Sequence, residues 1–80
     1  MREIEVIAIF SPDRLPSPIR FRIVAEDESF VVVKIGKILF AEEQKKEQKI
    51  KYRCQCTINF QKRIMDIFFW KPTMQWFLDV

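Results

Sequence analysis

Residues 49–60 read KIKYRCQCTINF, and this stretch decides the fold. Ile50, Tyr52, Cys54, Cys56, Ile58 and Phe60 alternate without a break against Lys49, Lys51, Arg53, Gln55, Thr57 and Asn59. A helix would repeat its apolar positions every three to four residues. A strict period of two predicts a long antiparallel strand with one face buried and the other wet.

The neighbouring segments carry the same kind of signal. Upstream, Phe30 to Phe40 (FVVVKIGKILF) is a β-branched run in which Val31, Val33 and Ile35 share a face. After Gly36 and Lys37 the pattern resumes at Ile38 and Phe40, on the opposite parity. A lone glycine at a parity switch predicts a bulge or sharp bend. Between these strands AEEQKKEQ, residues 41–48, is polar on all sides and too short for a lone helix. It reads as a solvated loop with room for one helical turn.

Earlier still, Ile19, Phe21, Ile23 and Ala25 alternate with Arg20, Arg22 and Val24. An acidic turn follows at residues 26–29. SPDRLPSP, residues 11–18, holds three prolines and reads as a stiff surface loop. Ile4 to Phe10 is apolar on both parities at its far end, so it predicts a largely buried strand. Downstream, Asn59 to Lys62 turns the chain, Ile64 to Trp70 is a fifth strand, and Gln75 to Val80 follows a turn at Pro72. The expectation is one all-β domain over residues 1–80. Its six strands form an antiparallel meander curled into a barrel or half-barrel of the size of SH3-like or oligonucleotide-binding folds. A sheet completed by a second chain is the other architecture that fits.

Composition narrows the function classes. The chain has 80 residues, with 14 Lys+Arg, 11 Asp+Glu, no His, 1 Gly and 2 Cys. The apolar share, 49%, is too high for a disordered tail. No run approaches the ~18 apolar residues of a membrane span. Arg2, Glu3 and Glu5 interrupt anything resembling a leader, and two cysteines fit a reducing compartment, so the expectation is cytoplasmic.

The lack of histidine removes the commonest general base and metal ligand. One glycine cannot build a phosphate loop. Asp66 is the one acid inside an apolar strand, and pairing with a nearby Lys or Arg is its expected state. Cys54 and Cys56 lie on one face of the long strand, about 6.6 Å apart at Cα, which disfavours a disulfide. They read as core residues rather than as half of a metal site. No catalytic residue, metal or cofactor is therefore expected.

Two asymmetries remain. Six of the eleven aromatics lie between Phe60 and Phe77, so the last hairpin is apolar on both faces. Ile7 and Ile9 are spare on the first strand. Together Ile7, Ile9, Phe69 and Phe77 predict a protein interface, with a second copy or another protein as partner. The second asymmetry is charge. Residues 34–53 carry seven basic and three acidic groups, against four and six in residues 1–33. Arg20, Arg22, Lys34, Lys49, Lys51 and Arg53 predict a basic stripe able to follow a phosphate backbone. Counting against nucleic acid, the aromatics of the second and fourth strands alternate away from those cations. An interaction module with a protein partner is thus the first expectation, and a nucleic-acid accessory domain the second.

PIRFRI at Pro18–Ile23, then FVVVKIGKILF, then YRCQC, then a closing QWFL with Trp76 and Leu78, resembles a group of short bacterial β-rich domains. The resemblance covers residues 18–80. No activity is known for that group, so the resemblance implies a β-rich fold and assigns no site residue.

Overall fold

A computed structural model describes residues 1–80. Six strands follow one another: β1 Arg2–Ile9, β2 Ser17–Val24, β3 Phe30–Gln44, β4 Lys49–Ile58, β5 Gln61–Trp70 and β6 Gln75–Leu78. They pair in chain order and antiparallel, and β6 pairs with β1, so the sheet closes into a barrel on a single chain. No second copy is needed to complete it.

The alternation of β4 holds as read. Ile50, Tyr52, Cys54 and Cys56 are buried, and the residues between them are half-buried on the outside. β4 organises the barrel because it pairs along its whole length with β3 and with β5. One rung runs Ile50–Phe69–Trp76–Ile4 through the interior, and another Tyr52–Ile67–Leu78. Phe21 and Val33 fill the opposite wall. Each fully buried side chain of this size contributes about 1.5–3 kcal/mol. Trp76 stacks at 4.7 Å from Phe69 and 5.6 Å from Tyr52, which ties the seam strand to the centre.

Curvature comes from extra residues in β2 and β3. Ile35 faces Cys56 and Lys37 faces Gln55, which leaves Gly36 as the inserted residue, where the parity switch predicts it. A second insertion follows at Leu39, between Ile38 opposite Cys54 and Phe40 opposite Arg53. A third lies at Ile19, because Ile7 faces Arg20 while Ala8 faces Pro18. Each insertion raises the local twist and bends the strand. Gly36 has no positive φ, and a Cβ there would meet only the Gln55 carbonyl at 3.5 Å. Register, rather than glycine's freedom, sets this bulge.

Several expectations are corrected. Residues 41–48 hold no helical turn. Ala41–Gln44 continue β3 because β4 offers them partners, and only Lys45–Gln48 turn. Leu39 reverses the parity again, so Phe40 points outward rather than with Ile38. The first strand is not largely buried: Ile7 and Ile9 are 52% and 56% exposed. β4 stops at Ile58, and Phe60 stands in solvent at the turn instead of on the buried face.

The proline-rich loop is more than a spacer. Leu15 packs on the core, Pro18 is buried, and the Tyr52 hydroxyl donates to the Pro16 carbonyl. That bond satisfies the one polar atom Tyr52 carries into the interior. Phe10 extends the cover by meeting Phe69 edge-on at 5.8 Å.

Candidate functional site

The interior offers little chemistry. Cys54 and Cys56 are free thiols walled in by apolar side chains. Burial pushes the Cys54 thiol up to about 12 and raises Cys56 as well, so neither is a ready nucleophile. Burial also raises the Tyr52 hydroxyl.

The outer surface is organised in rungs that cross the strands. Three of them set opposite charges face to face. Arg22 on β2 faces Glu5 on β1 and donates from Nε and Nη2 to its two carboxylate oxygens, both at 3.0 Å. These bonds hold the Glu5 carboxyl below its ordinary range. Arg53 on β4 faces Asp66 on β5 and donates at 2.9 and 3.1 Å. Lys51 adds a longer contact to Asp66 at 3.8 Å. The Arg53 bonds lower the Asp66 pKa against the opposing effect of burial. Asp66 is therefore held ionised, and it lacks the raised pKa that a proton donor near neutral pH needs. Glu42 faces Lys51 in the same pattern.

One rung breaks it. Ile7, Arg20, Lys34, Thr57 and Lys62 lie in line across β1 to β5, all on outward parity. Three cations stand in that line and no carboxylate does. Lys37, opposite Gln55 in the next rung, adds a fourth cation. None of the four enters an ion pair, although Arg22, Arg53, Lys51 and Lys71 all do. Like charges directly opposite one another destabilise a sheet. The fold carries that repulsion without an internal return.

Aromatics share this outer face. Phe40 lies under the Arg53 guanidinium at 5.0 Å, and Phe30 under Arg22 at 5.2 Å. Phe68 points outward but is covered by Lys49 at 4.9 Å and Lys51 at 6.0 Å from its ring. Trp70 faces Lys49 across the β4–β5 pair and is 43% exposed. The sequence reading of aromatics turned away from the cations holds for β2 and β4 alone. The flanking strands β3 and β5 bring Phe40, Phe68 and Trp70 to the cationic side.

The predicted residues thus sort as follows. Arg20 and Lys34 come together. Lys49, Lys51 and Arg53 form a row on β4, with Lys51 and Arg53 sharing Asp66. Arg22 is occupied by Glu5. Of the four interface candidates, Ile7 and Ile9 are outward and exposed, and Phe77 is outward and half-buried. Phe69 is a correction: at 4% exposure it fills the interior against Trp76, and it cannot meet a partner.

Lys37 joins the stripe beside Lys34 on the third strand, and Lys62 is the cation that the sequence does not place there. Read from sequence, Lys62 falls in a turn, whereas β5 begins at Gln61 and includes it; the parity of Lys37 depends on the Gly36 insertion. A shallow groove of about 500 Å³ crosses β1 to β3, lined by Ile7, Arg20, Arg22, Phe30 and Val32 among others. Comparison of the chain with protein-family models, with curated proteins and with solved structures gives no match.

Proposed function

We propose that the barrel is a non-catalytic cytoplasmic module that binds single-stranded nucleic acid across the outer face of β2 to β5. The observation that carries this reading is the unbalanced rung Arg20–Lys34–Thr57–Lys62. A polyanion supplies the negative charge that this rung lacks, between cations set directly opposite each other. Lys37, Lys49, Lys51 and Arg53 continue the positive band along β3 and β4. Phe40 and Trp70 stand beside it as stacking surfaces, the arrangement that sequence-tolerant binders of single strands use.

The test is fluorescence anisotropy with a labelled oligothymidine. Binding is expected at low salt, with log affinity falling by roughly 0.7 per phosphate contact against log salt. Lys34→Glu is expected to weaken it about tenfold or more, since it replaces a contact with a repulsion. Absence of binding at low salt, or indifference to Lys34→Glu, would overturn the proposal.

A second reading has its own observation. Ile7 and Ile9 are more than half exposed, and Ile7 lines the groove with Phe30 and Val32. A second copy of the chain placed over this face would cover them. Light scattering after size exclusion tests it: a dimer that Ile7→Glu splits supports self-association, and a monomer at high micromolar concentration removes it.

A further inference from the structure

The β4–β5 hairpin closes on two residues. Ile58 faces Gln61, and Asn59 and Phe60 between them have φ of 49° and 64°. Two left-handed residues in succession are the mark of the tight turn whose preferred sequence is Asn-Gly. Asn59 suits its place, because its short polar side chain tolerates the left-handed region. Phe60 does not, since a bulky side chain there crowds the backbone.

Nor does Phe60 gain anything from packing. It is 103% exposed, and its ring makes no aromatic or cation contact. The fold therefore bears two costs at one residue, a backbone in the wrong region and an apolar ring in water. Strain held together with an exposed ring motivates a functional role for the side chain.

Its surroundings indicate the ligand. Lys62 lies two residues on, at the start of β5, and belongs to the unbalanced rung with Lys34 and Arg20. Arg63 is exposed beside it, its guanidinium bonded only to Gln61. A flat, unencumbered ring thus projects from the end of a cationic band.

We propose that Phe60 stacks on an unpaired base at the end of the strand held by Arg20, Lys34 and Lys62, so that the hairpin tip selects unpaired bases over duplex. The proposal rests on the nucleic-acid reading and adds the choice of strand state to it. Every base presents a face, so the contact is indifferent to sequence; a paired base inside a helix presents none.

The experiment compares the wild type, Phe60→Gly and Lys34→Glu on a single strand carrying 2-aminopurine and on a duplex of equal length. Phe60→Gly is expected to raise Tm by about 4–8 °C through relief of the turn. The same change is expected to weaken single-strand binding at least about fivefold and to remove the quenching of a 2-aminopurine placed at the strand end that meets the hairpin tip, while duplex affinity stays as it was. Phe60→Trp should restore both the affinity and the quenching. If Phe60→Gly binds the single strand as the wild type does, while Lys34→Glu loses it, the stacking role falls and the nucleic-acid reading stands. If the wild type binds neither oligonucleotide, both fall. Binding to anionic lipid vesicles that depends on Phe60, with no oligonucleotide binding, also overturns both.

Discussion

Arg20 on β2 and Lys34 on β3 stand directly opposite each other, both pointing outward, with no carboxylate in their rung. Every other outer rung with a cation facing a charged neighbour sets that cation against an acid: Arg22 against Glu5, Arg53 against Asp66, Lys51 against Glu42. The exception stands out because like charges directly opposite each other cost stability, while the other facing charges of the outer rungs are of opposite sign.

Reversing one member should show this cost. Lys34→Glu turns a repelling pair into an attracting one, with an expected gain of about 0.2–1 kcal/mol at low ionic strength. The gain should shrink with added salt, because charges this exposed are screened over ~10 Å at 0.1 M. Thermal unfolding at low and high salt measures it. The wild type should gain from salt, the variant should not, and the more stable variant should be the poorer binder.

Asp66 should make the acid limb of stability steep. Its folded pKa lies below the unfolded one, chiefly through the Arg53 hydrogen bonds. Its contribution is therefore complete above the unfolded value of ~3.9 and is lost as pH falls through the lower folded value. Asp66→Asn should cost on the order of 1 kcal/mol at pH 7, since Arg53 is partly exposed, and should flatten the loss below pH ~4. Urea midpoints between neutral and strongly acid pH decide it.

The two thiols give the opposite limb. Cys54 is pushed up to about 12 by burial, and Cys56 is raised by the same cause. The folded protein keeps these protons while the unfolded chain releases them near ~8.5, so stability falls as pH rises above that value. Cys54→Ala should lessen this alkaline loss and leave a small cavity. A thiol reagent at neutral pH should label the native protein at the rate of global unfolding and no faster.

Gly36→Ala should be harmless. The bulge carries no left-handed φ, and the nearest atom to a new Cβ is 3.5 Å away. Reduced freedom of the unfolded chain should give a gain of about 0.4–1 kcal/mol. A loss beyond 1 kcal/mol in denaturant unfolding would show that the insertion depends on glycine after all.

The fold was legible wherever one face of a strand is apolar and the other polar. β4 is the clearest case, and the insertion at Gly36 announced itself by a parity change. Leu39 gave no such notice, because an apolar residue in an apolar run leaves no mark when it drops out of register. Residues 41–44 read as loop because helix formers in so short a polar run make no stable helix and are poor strand formers, yet pairing with Tyr52 to Lys49 makes them strand.

The site was half legible for a related reason. Parity alone shows that Arg20 and Lys34 point the same way. Only register shows that they face each other, that Lys62 joins them, and that Phe40 falls beside Arg53. Phe68 and Phe69 show the limit most simply: alternation separates them, but nothing local says which one the barrel will enclose.

The seam between β1 and β6 sets the order in which these events happen. Five of the six strand pairings join neighbours along the chain and can form as hairpins grow, on the microsecond scale of local turns. The sixth unites segments 72 positions apart, where Gln75 donates to Glu3 and Trp76 settles beside Ile4. Closure across so long a loop is the slow step. Without that seam the sheet has two bare edges, along β1 and β6. Folding speed and the hazard of aggregation should therefore be governed by Trp76 and Ile4 far more than by the strand that announces the fold.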